Sequence, residues 1–270
     1  MKTLPKEYNF MTPLKSPSLL RLGVKKDGGY ILDKELLKTS NFLVSFGMAE
    51  EYSFEEEFLK FNKNNELIIF DFSVSHSHYF KELFKNIRRI FKFKRTFKDL
   101  GKCYKNYIRF IKFCNKKNVK FFSKKITSKD DSKGNISINE IFRNYIEKGK
   151  KNITLKIDIE GAEYEIINNI LQYEKQIDQM VMEYHDTHLR KIEFFENMRK
   201  IQNFFYVSHL HANNYRKYNA DGFPINIEIT FLNKKFLKDS LKKSFRYPIN
   251  ELDYPNNSRE KDLEFVFSEG

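Results

Sequence analysis

The alternation of short apolar runs with amphipathic segments is the feature that most restricts the fold of this chain. Asn41–Phe46 (NFLVSF) and Glu66–Phe72 (ELIIFDF) are short, rich in branched or aromatic residues and bounded by polar positions, as buried strands are. Between them, Ser53–Phe61 has phenylalanines at the spacing of one helix face, and Ser53 with Glu56 predicts a capping box. This strand–helix–strand order predicts the opening of a parallel sheet.

The rest of the chain continues this alternation. The predicted strands are Val119–Phe122, Ile153–Ile159, Gln179–Tyr184, Phe205–His211 and Asn226–Leu232, and the predicted helices are Ala162–Leu171, Lys191–Gln202 and one capped by Ser137 that runs through Ile146. The last two strands are joined by Asn213–Pro224, which has no room for a helix, so this pair must be antiparallel. We therefore predict an α/β fold with a mostly parallel seven-stranded sheet and a terminal antiparallel hairpin, the pattern of Rossmann-like class I methyltransferases.

The positive charge of the chain is concentrated in one segment. The net charge is +13 over 270 residues, but 81–125 holds 17 Lys or Arg against Glu82 and Asp99, a local balance of +15 that leaves −2 for the remainder. Apolar residues at helical spacing in this segment predict two amphipathic helices with Lys and Arg outside. We expect a single domain over 1–270, with 81–125 as a basic helical insert and 233–270 as a C-terminal extension.

Composition excludes several classes of protein. Because the charge is local, the high isoelectric point is weak evidence for a nucleic-acid partner. Cys103 and Cys114 are too few for a disulfide framework or a structural zinc site. No apolar run approaches the ~20 residues that span a bilayer, and the first residues lack the apolar core of a signal peptide. These observations favour the cytoplasm.

Polar residues follow the predicted strands, where ligands bind in open α/β sheets. Asp71 closes the second strand and could accept hydrogen bonds from ribose hydroxyls, the alternatives being a helix N-cap or a solvated strand end. Gly47 after the first strand allows close backbone approach, or simply a tight turn. This loop lacks G-x-G-x-x-G, and Glu50 and Glu51 would repel a pyrophosphate, so a dinucleotide is disfavoured. A cationic cofactor without phosphate would tolerate these acids.

Three segments resemble one family. Lys26–Leu32 (KDGGYIL), Leu155–Glu165 (LKIDIEGAEYE) and His209–Tyr215 (HLHANNY) are similar to the FkbM-type S-adenosylmethionine-dependent methyltransferases, in particular to the branch found with bacterial capsule and surface-polysaccharide genes. The K-I-D-I-E-G-A-E run is the most specific, and the resemblance spans roughly Leu22 to Leu232. It implies S-adenosylmethionine as methyl donor and O-methylation of a sugar hydroxyl.

The resemblance also indicates which residues contact the donor. The first glycine motif of the family usually holds more glycines than Ser-Phe-Gly-Met-Ala-Glu, which stands in its place here. The candidate donor-binding residues are Gly29, Tyr30, Ser45, Gly47, Glu50, Ser53 and Asp71.

Methyl transfer from a sulfonium to oxygen is an in-line displacement, so the protein must align the two partners and remove the hydroxyl proton. His185 is a candidate base, and Glu183 shares its strand face by two-residue alternation, as Asp158 and Glu160 do on the neighbouring strand. The predicted catalytic residues are His185, Asp158 and Glu160. Asp158, Glu183 and His185 could also hold Mn²⁺ or Mg²⁺. The alternatives are a hydrogen-bonded rim histidine and, for Asp158, a helix cap.

The acceptor site and the basic insert allow more than one interpretation. Amides and imidazoles suit hydroxyl-rich ligands, so His211, Asn213 and Asn214 are predicted to line the acceptor pocket, unless they only form a turn. The insert either packs its apolar side on the domain or attracts an anionic sugar or sugar-nucleotide acceptor. Two alternative functions stay open. One is a nucleic-acid methyltransferase, and the other is a non-catalytic module of the same fold that binds RNA or a membrane surface.

Overall fold

A seven-stranded sheet lies at the centre of the computed structural model, which describes residues 1–62, 64–92, 96–129 and 134–268. In chain order its strands are β1 Phe42–Phe46, β2 Glu66–Phe70, β3 Val119–Phe122, β4 Ile153–Ile157, β5 Ile177–Tyr184, β6 Phe205–Ala212 and β7 Ile227–Asn233. Their spatial order is β6-β7-β5-β4-β1-β2-β3. Strand β7 runs in the opposite direction to the other six, which are parallel to one another. The predicted fold class is confirmed.

Helices cover both faces of the sheet. They are α1 Lys34–Thr39, α2 Ser53–Phe61, α3 His76–Phe91, α4 Phe97–Cys114, α5 Ile138–Asn144, α6 Glu163–Ile170 and α7 Lys191–Ile201. Successive strand residues enter opposite cores: Val44 packs with the residues of α5, α6 and α7, whereas Leu43 packs with those of α2 and α4. Because both faces are buried, apolar residues occupy consecutive strand positions such as Phe42–Val44 and Leu67–Phe70, and these runs made the strands predictable from sequence.

Shorter elements surround this sheet. The 3-10 helices are Lys6–Met11, Leu171–Tyr173 and Lys234–Phe236, and the short strands are Lys2–Leu4, Leu14–Lys15, Leu19–Leu22, Tyr30–Asp33, Lys125–Thr127, Asn135–Ser137, Lys242–Lys243, Arg246–Tyr247 and Phe265–Phe267. Lys2–Leu4, Phe265–Phe267 and Arg246–Tyr247 form one sheet, so the C-terminal extension returns to the start of the chain.

Helix α2 begins where predicted, but the predicted capping box is wrong. Its N-cap is Tyr52, which makes no side-chain cap. The Ser53 hydroxyl instead accepts a hydrogen bond from the Val24 amide at 2.9 Å, so a tertiary partner replaces the local one. At α5 the prediction is confirmed, since Ser137 Oγ accepts from the Glu140 amide at 3.1 Å.

Within the basic insert, α3 and α4 pack against each other and lead into β3. The C-terminal half of α4 is anchored in the domain through the buried Phe110 and Phe113. The described helices include none that is both long and apolar enough to cross a lipid bilayer.

Candidate active site

A cavity of about 380 Å³ lies outside the carboxyl ends of β1, β2 and β4. Gly47, Asp71, Asp158 and Glu160 are among the residues that line it. This is the position in which open α/β sheets hold their ligands, since strand ends and loops leave a crevice there. We refer to it as the donor cavity.

Gly47 shapes this cavity through its backbone. Its φ is +78°, and a Cβ placed there would lie 1.7 Å from the carbonyl oxygen of Asp158. The Lys156 ammonium donates a hydrogen bond to the Gly47 carbonyl oxygen. The β1 loop is therefore pressed against β4 so closely that a side chain has no room.

A buried ion pair supports the same loop. Lys156 Nζ lies 3.3 Å from Glu55 Oε1, and the Ser45 hydroxyl donates to that oxygen at 2.7 Å. Burial opposes the charge of Lys156, but Glu55 and Asp158 raise its pKa above the usual value. Ser45 thus belongs to a buried network beneath the loop, outside the lining of the donor cavity.

Asp71 ties the loops after β1 and β2 together. Its Oδ2 accepts from the amides of Met48 and Ala49, both at 2.7 Å, and its Oδ1 accepts from the amide and hydroxyl of Ser73, both at 2.6 Å. These four bonds fix the carboxylate at the wall of the donor cavity. Its contact with a ribose stays a prediction.

The remaining predicted donor residues are absent from the lining of the donor cavity. The Tyr30 hydroxyl donates a hydrogen bond to Asp158 Oδ2 at 2.7 Å. Gly29 has no room for a side chain, since a Cβ would lie 2.1 Å from the Val24 carbonyl oxygen. The Glu50 carboxylate lies 2.7 Å from His78 Nε2, and the Ser53 hydroxyl accepts the hydrogen bond from the Val24 amide. Their donor contacts also stay predictions.

A second cavity of about 400 Å³ adjoins the first, and we call it the acceptor cavity. Its lining residues carry carboxylate, imidazole, amide, phenol and guanidinium groups: Asp27, Asp158, Glu160, Glu183, His185, Asn213, Tyr215, Arg216 and Asn226. Asp158 and Glu160 line both cavities. Ligands in the two cavities would therefore both lie next to these two carboxylates.

His185 lies at the centre of a cluster of acids. Its Nε2 is 3.8 Å from Asp158 Oδ1, 3.6 Å from Glu160 Oε2 and 3.5 Å from Glu183 Oε1. Burial disfavours its charge, but the hydrogen bond from Nδ1 to Glu163 at 3.0 Å and the nearby acids raise the pKa of His185 to about 10. The acids thus keep the imidazole protonated when no other cation is present, and to act as a base it must first release that proton.

The residues present fit a divalent cation. Asp158, Glu183 and His185 each offer one ligand atom, and the three atoms lie within 4.8 Å of one another. Each is held from behind: Asp158 by Tyr30, Glu183 by the Asn213 amide at 2.8 Å, and His185 by Glu163. Oxygen ligands with one imidazole suit Mn²⁺ or Mg²⁺, and such supporting contacts orient metal ligands.

Of the three residues predicted to bind the acceptor, the structure places Asn213 in the acceptor cavity and the other two outside its lining. His211 is buried between Glu228, at 3.2 Å, and Asp262, at 3.0 Å. Asn214 accepts from the Asn257 amide at 2.6 Å. Both side chains hold the C-terminal extension, so their contact with an acceptor stays a prediction.

Sequence reasoning overlooked several residues of the site. Glu163 and Lys156 lie inside the K-I-D-I-E-G-A-E run, and two-residue alternation places Lys156 on the face of Asp158. Asp27 stands in the K-D-G-G-Y segment and lines the acceptor cavity. The signal was present in these motifs, but their partners are set by packing between distant segments.

The strand order, the antiparallel β7 and the cavity at the strand ends define a class I methyltransferase fold. Residues 110–217 match the family model of the methyltransferase FkbM domain, which confirms the resemblance to that family. Together, the family match and the fold support an S-adenosylmethionine-dependent methyltransferase.

Solved structures with a similar fold share few residues with this chain. The fibrillarin pre-rRNA processing protein of Methanococcus jannaschii has 8% identity and a TM-score of 0.40 over 73% of this chain and 68% of its own. The precorrin-6y C5,15-methyltransferase of Geobacter metallireducens has 11% identity and a TM-score of 0.31 over 74% and 86%. A chain of a fibrillarin/Nop5p complex has 10% identity and a TM-score of 0.39 over 72% and 73%. No curated protein is a significant match.

Proposed function

We propose that this protein is an O-methyltransferase that moves the methyl group of S-adenosylmethionine to a hydroxyl of a sugar or sugar-derived acceptor, assisted by a divalent metal. The observation that carries the proposal is the meeting of two cavities at Asp158 and Glu160, with His185 and Glu183 on the acceptor side. Displacement in line requires the acceptor oxygen to approach the donor methyl carbon to within about 3–3.5 Å, and neighbouring cavities would place the two partners close together.

The donor cavity suits a cationic donor. The carboxylates of Asp71, Asp158, Glu160 and Glu165 line it together with the ammonium groups of Lys124 and Lys125, and this excess of negative charge attracts a cation at a partly buried site. The β1 loop has no run of glycines to hold a pyrophosphate, in keeping with a donor that carries none.

The acceptor cavity suits a hydroxyl-rich ligand, with Arg216 as the place for an anionic group of that ligand. Asn213 and Asn226 offer amide donors and acceptors, and Asp27 and Glu183 offer further acceptors for hydroxyls. Arg216 adds an exposed guanidinium, 3.8 Å from Asp186, which can bind a phosphate or carboxylate. These groups support a nucleotide- or phosphate-linked sugar, and the family resemblance points to one used in capsule or surface-polysaccharide biosynthesis.

In the reaction, the oxygen–carbon bond forms as the carbon–sulfur bond breaks, and the sulfur keeps the electron pair. The hydroxyl proton passes to the Glu160 carboxylate, which lines both cavities and lies outside the proposed ligand set of Asp158, Glu183 and His185. A bound Mn²⁺ or Mg²⁺, held by Asp158, Glu183 and His185, would supply Lewis-acid activation of the hydroxyl. Glu163 keeps the His185 ring oriented, and Asn213 does the same for the Glu183 carboxylate.

Removing divalent metal is expected to lower turnover by at least about tenfold and to leave donor binding intact, because Glu183 and His185 line only the acceptor cavity and Tyr30 still holds Asp158. S-adenosylhomocysteine formation is measured after chelator treatment and again after Mn²⁺ or Mg²⁺ is added back. Donor affinity, measured by calorimetry on the same samples, is the control. Full activity in excess chelator would contradict the metal while leaving the methyltransferase proposal in place.

A further inference from the structure

Helix α3 leaves most of its apolar side uncovered. Of its 16 residues only Tyr79 is buried, although apolar side chains recur along one face at Phe80, Phe84, Ile87 and Phe91. Phe84 is 64% exposed and Phe91 is 80% exposed. We call these four residues the α3 stripe, and such a contiguous apolar surface on a globular protein marks an interaction site.

Helix α4 widens this surface. Phe97, which is 79% exposed, and Tyr104 lie opposite the α3 stripe. An open groove of about 540 Å³ runs between the helices, with Leu83, Phe84 and Ile87 on one side and Phe97, Leu100 and Tyr104 on the other. Two helices thus present one continuous apolar face.

The other end of this helix pair is firmly attached. Phe113 stacks on Tyr52 with ring centroids 4.7 Å apart, and Arg109 forms an ion pair with Glu56 at 2.5 Å. Tyr79 and Phe110 are buried in the same core. The helix pair is therefore fixed to the domain at one end, and its exposed apolar face belongs to the other end.

Cations border the apolar face on both helices. On α3 and at its end the exposed cations are Lys81, Lys85, Arg88 and Lys92, and on α4 they include Lys98, Lys102 and Lys105. Against the 17 Lys or Arg of 81–125 stand only Glu82 and Asp99, and Glu82 pairs with Lys85 at 2.7 Å. The surface thus combines bulky apolar groups with a strong positive charge.

We propose that the paired helices α3 and α4 dock on an anionic lipid bilayer surface. The α3 stripe would enter the boundary between headgroups and acyl chains, where an amphipathic helix buries its apolar face. The flanking Lys and Arg would bind headgroup phosphates, and each such cation adds to the attraction. Helix α3 begins five residues after Asp71, which lines the donor cavity.

Charge and chemistry favour this occupant over two others. A second copy of the chain would bring two strongly positive surfaces together, which repel. Single-stranded nucleic acid would need a groove of cations with aromatic platforms for base stacking. The lining of the groove between the helices holds the aromatic Phe80, Phe84, Phe97 and Tyr104 together with the aliphatic Leu83, Ile87 and Leu100, and it holds no cation. The cations Lys81, Lys85, Arg88, Arg89 and Lys92 line the adjoining surface of α3. Aliphatic side chains add nothing to base stacking but enter a lipid boundary as readily as the rings, and this favours the bilayer.

The test is flotation of the full chain with vesicles of phosphatidylcholine alone or mixed with phosphatidylglycerol. Wild type is expected to bind only the mixed vesicles, and Phe84→Ser/Phe91→Ser and Lys81→Glu/Arg88→Glu are each expected to lose at least about tenfold of the partitioning. The matched controls are Leu189→Ser/Ile192→Ser and Lys242→Glu/Lys243→Glu, which alter exposed residues elsewhere. All the substituted side chains are exposed, and thermal unfolding checks that each variant keeps its fold.

Several outcomes would overturn the proposal. One is equal binding to neutral and mixed vesicles, or no binding to either. Another is full binding by Phe84→Ser/Phe91→Ser, which would show that charge alone drives the association. A third is binding to an RNA oligonucleotide that both α3 variants lose, without binding to vesicles.

Discussion

Replacing His185 with alanine is expected to reduce turnover by at least about a hundredfold while donor affinity stays unchanged. His185 lies in the acceptor cavity with Nε2 facing three carboxylates, whereas Gly47 and Asp71 line only the donor cavity. The substitution removes the imidazole that orders these acids and leaves the donor loops in place. Turnover is measured as S-adenosylhomocysteine formation, and donor affinity by calorimetry.

The matched control is His188→Ala, which removes an exposed imidazole from the following loop. Because four carboxylates surround His185, thermal unfolding of His185→Ala and of His185→Gln is compared with wild type to confirm that each is folded. If folded His185→Ala turned over at nearly the wild-type rate, both the catalytic and the metal-ligand role of this residue would be rejected.

Replacing Gly47 with alanine is expected to weaken donor binding by at least about tenfold, because its Cβ would meet the Asp158 carbonyl oxygen at 1.7 Å. To relieve this contact the β1 loop must move away from β4 and from the Lys156 ammonium beneath it. The donor cavity would then lose one of its walls. Calorimetric titration with S-adenosylmethionine measures the effect.

Gly149→Ala provides the control for backbone strain. Gly149 also has a positive φ, +84°, but nothing lies within 4 Å of a Cβ placed there. The left-handed conformation costs both alanine variants about 1–2 kcal/mol, and only Gly47→Ala adds the steric conflict. Donor affinities equal to wild type in both variants would contradict the placement of the donor beside Gly47.

The sheet could be predicted from sequence because its strands are buried on both faces. The runs at β1 and β2 hold three or four consecutive apolar residues, and the short link between β6 and β7 required an antiparallel pair. The capping box at α2 could not be judged in this way. Local spacing allowed it, but the Ser53 hydroxyl binds the Val24 amide, which is distant in sequence.

The site was predictable where it depends on strand ends. Asp158, Glu183 and His185 follow or end neighbouring strands, and the structure brings their ligand atoms together. The roles of His211 and Asn214 depend on the C-terminal extension, whose Asp262 and Asn257 reach them from far along the chain. Strand alternation does not indicate which distant segment covers a side chain.

Helix α3 shows the same limit. Its periodicity identified an apolar face, and packing on the domain was one of the two interpretations of the basic insert. The structure buries only Tyr79 of this helix, because the core there is already filled from α4 by Phe110 and Phe113. Periodicity shows that a face is apolar, but not what covers it.

The measurement that tests the proposed function most directly is the position of the transferred methyl group. The protein is incubated with S-adenosylmethionine labelled with ¹³C in the methyl group and with a panel of nucleotide sugars, and the product is examined by NMR. The account predicts that the label appears on a sugar hydroxyl oxygen, and that His185→Ala abolishes its appearance. Label on a base of added RNA or on a nitrogen or carbon atom, or no transfer by protein that binds the donor, would contradict it.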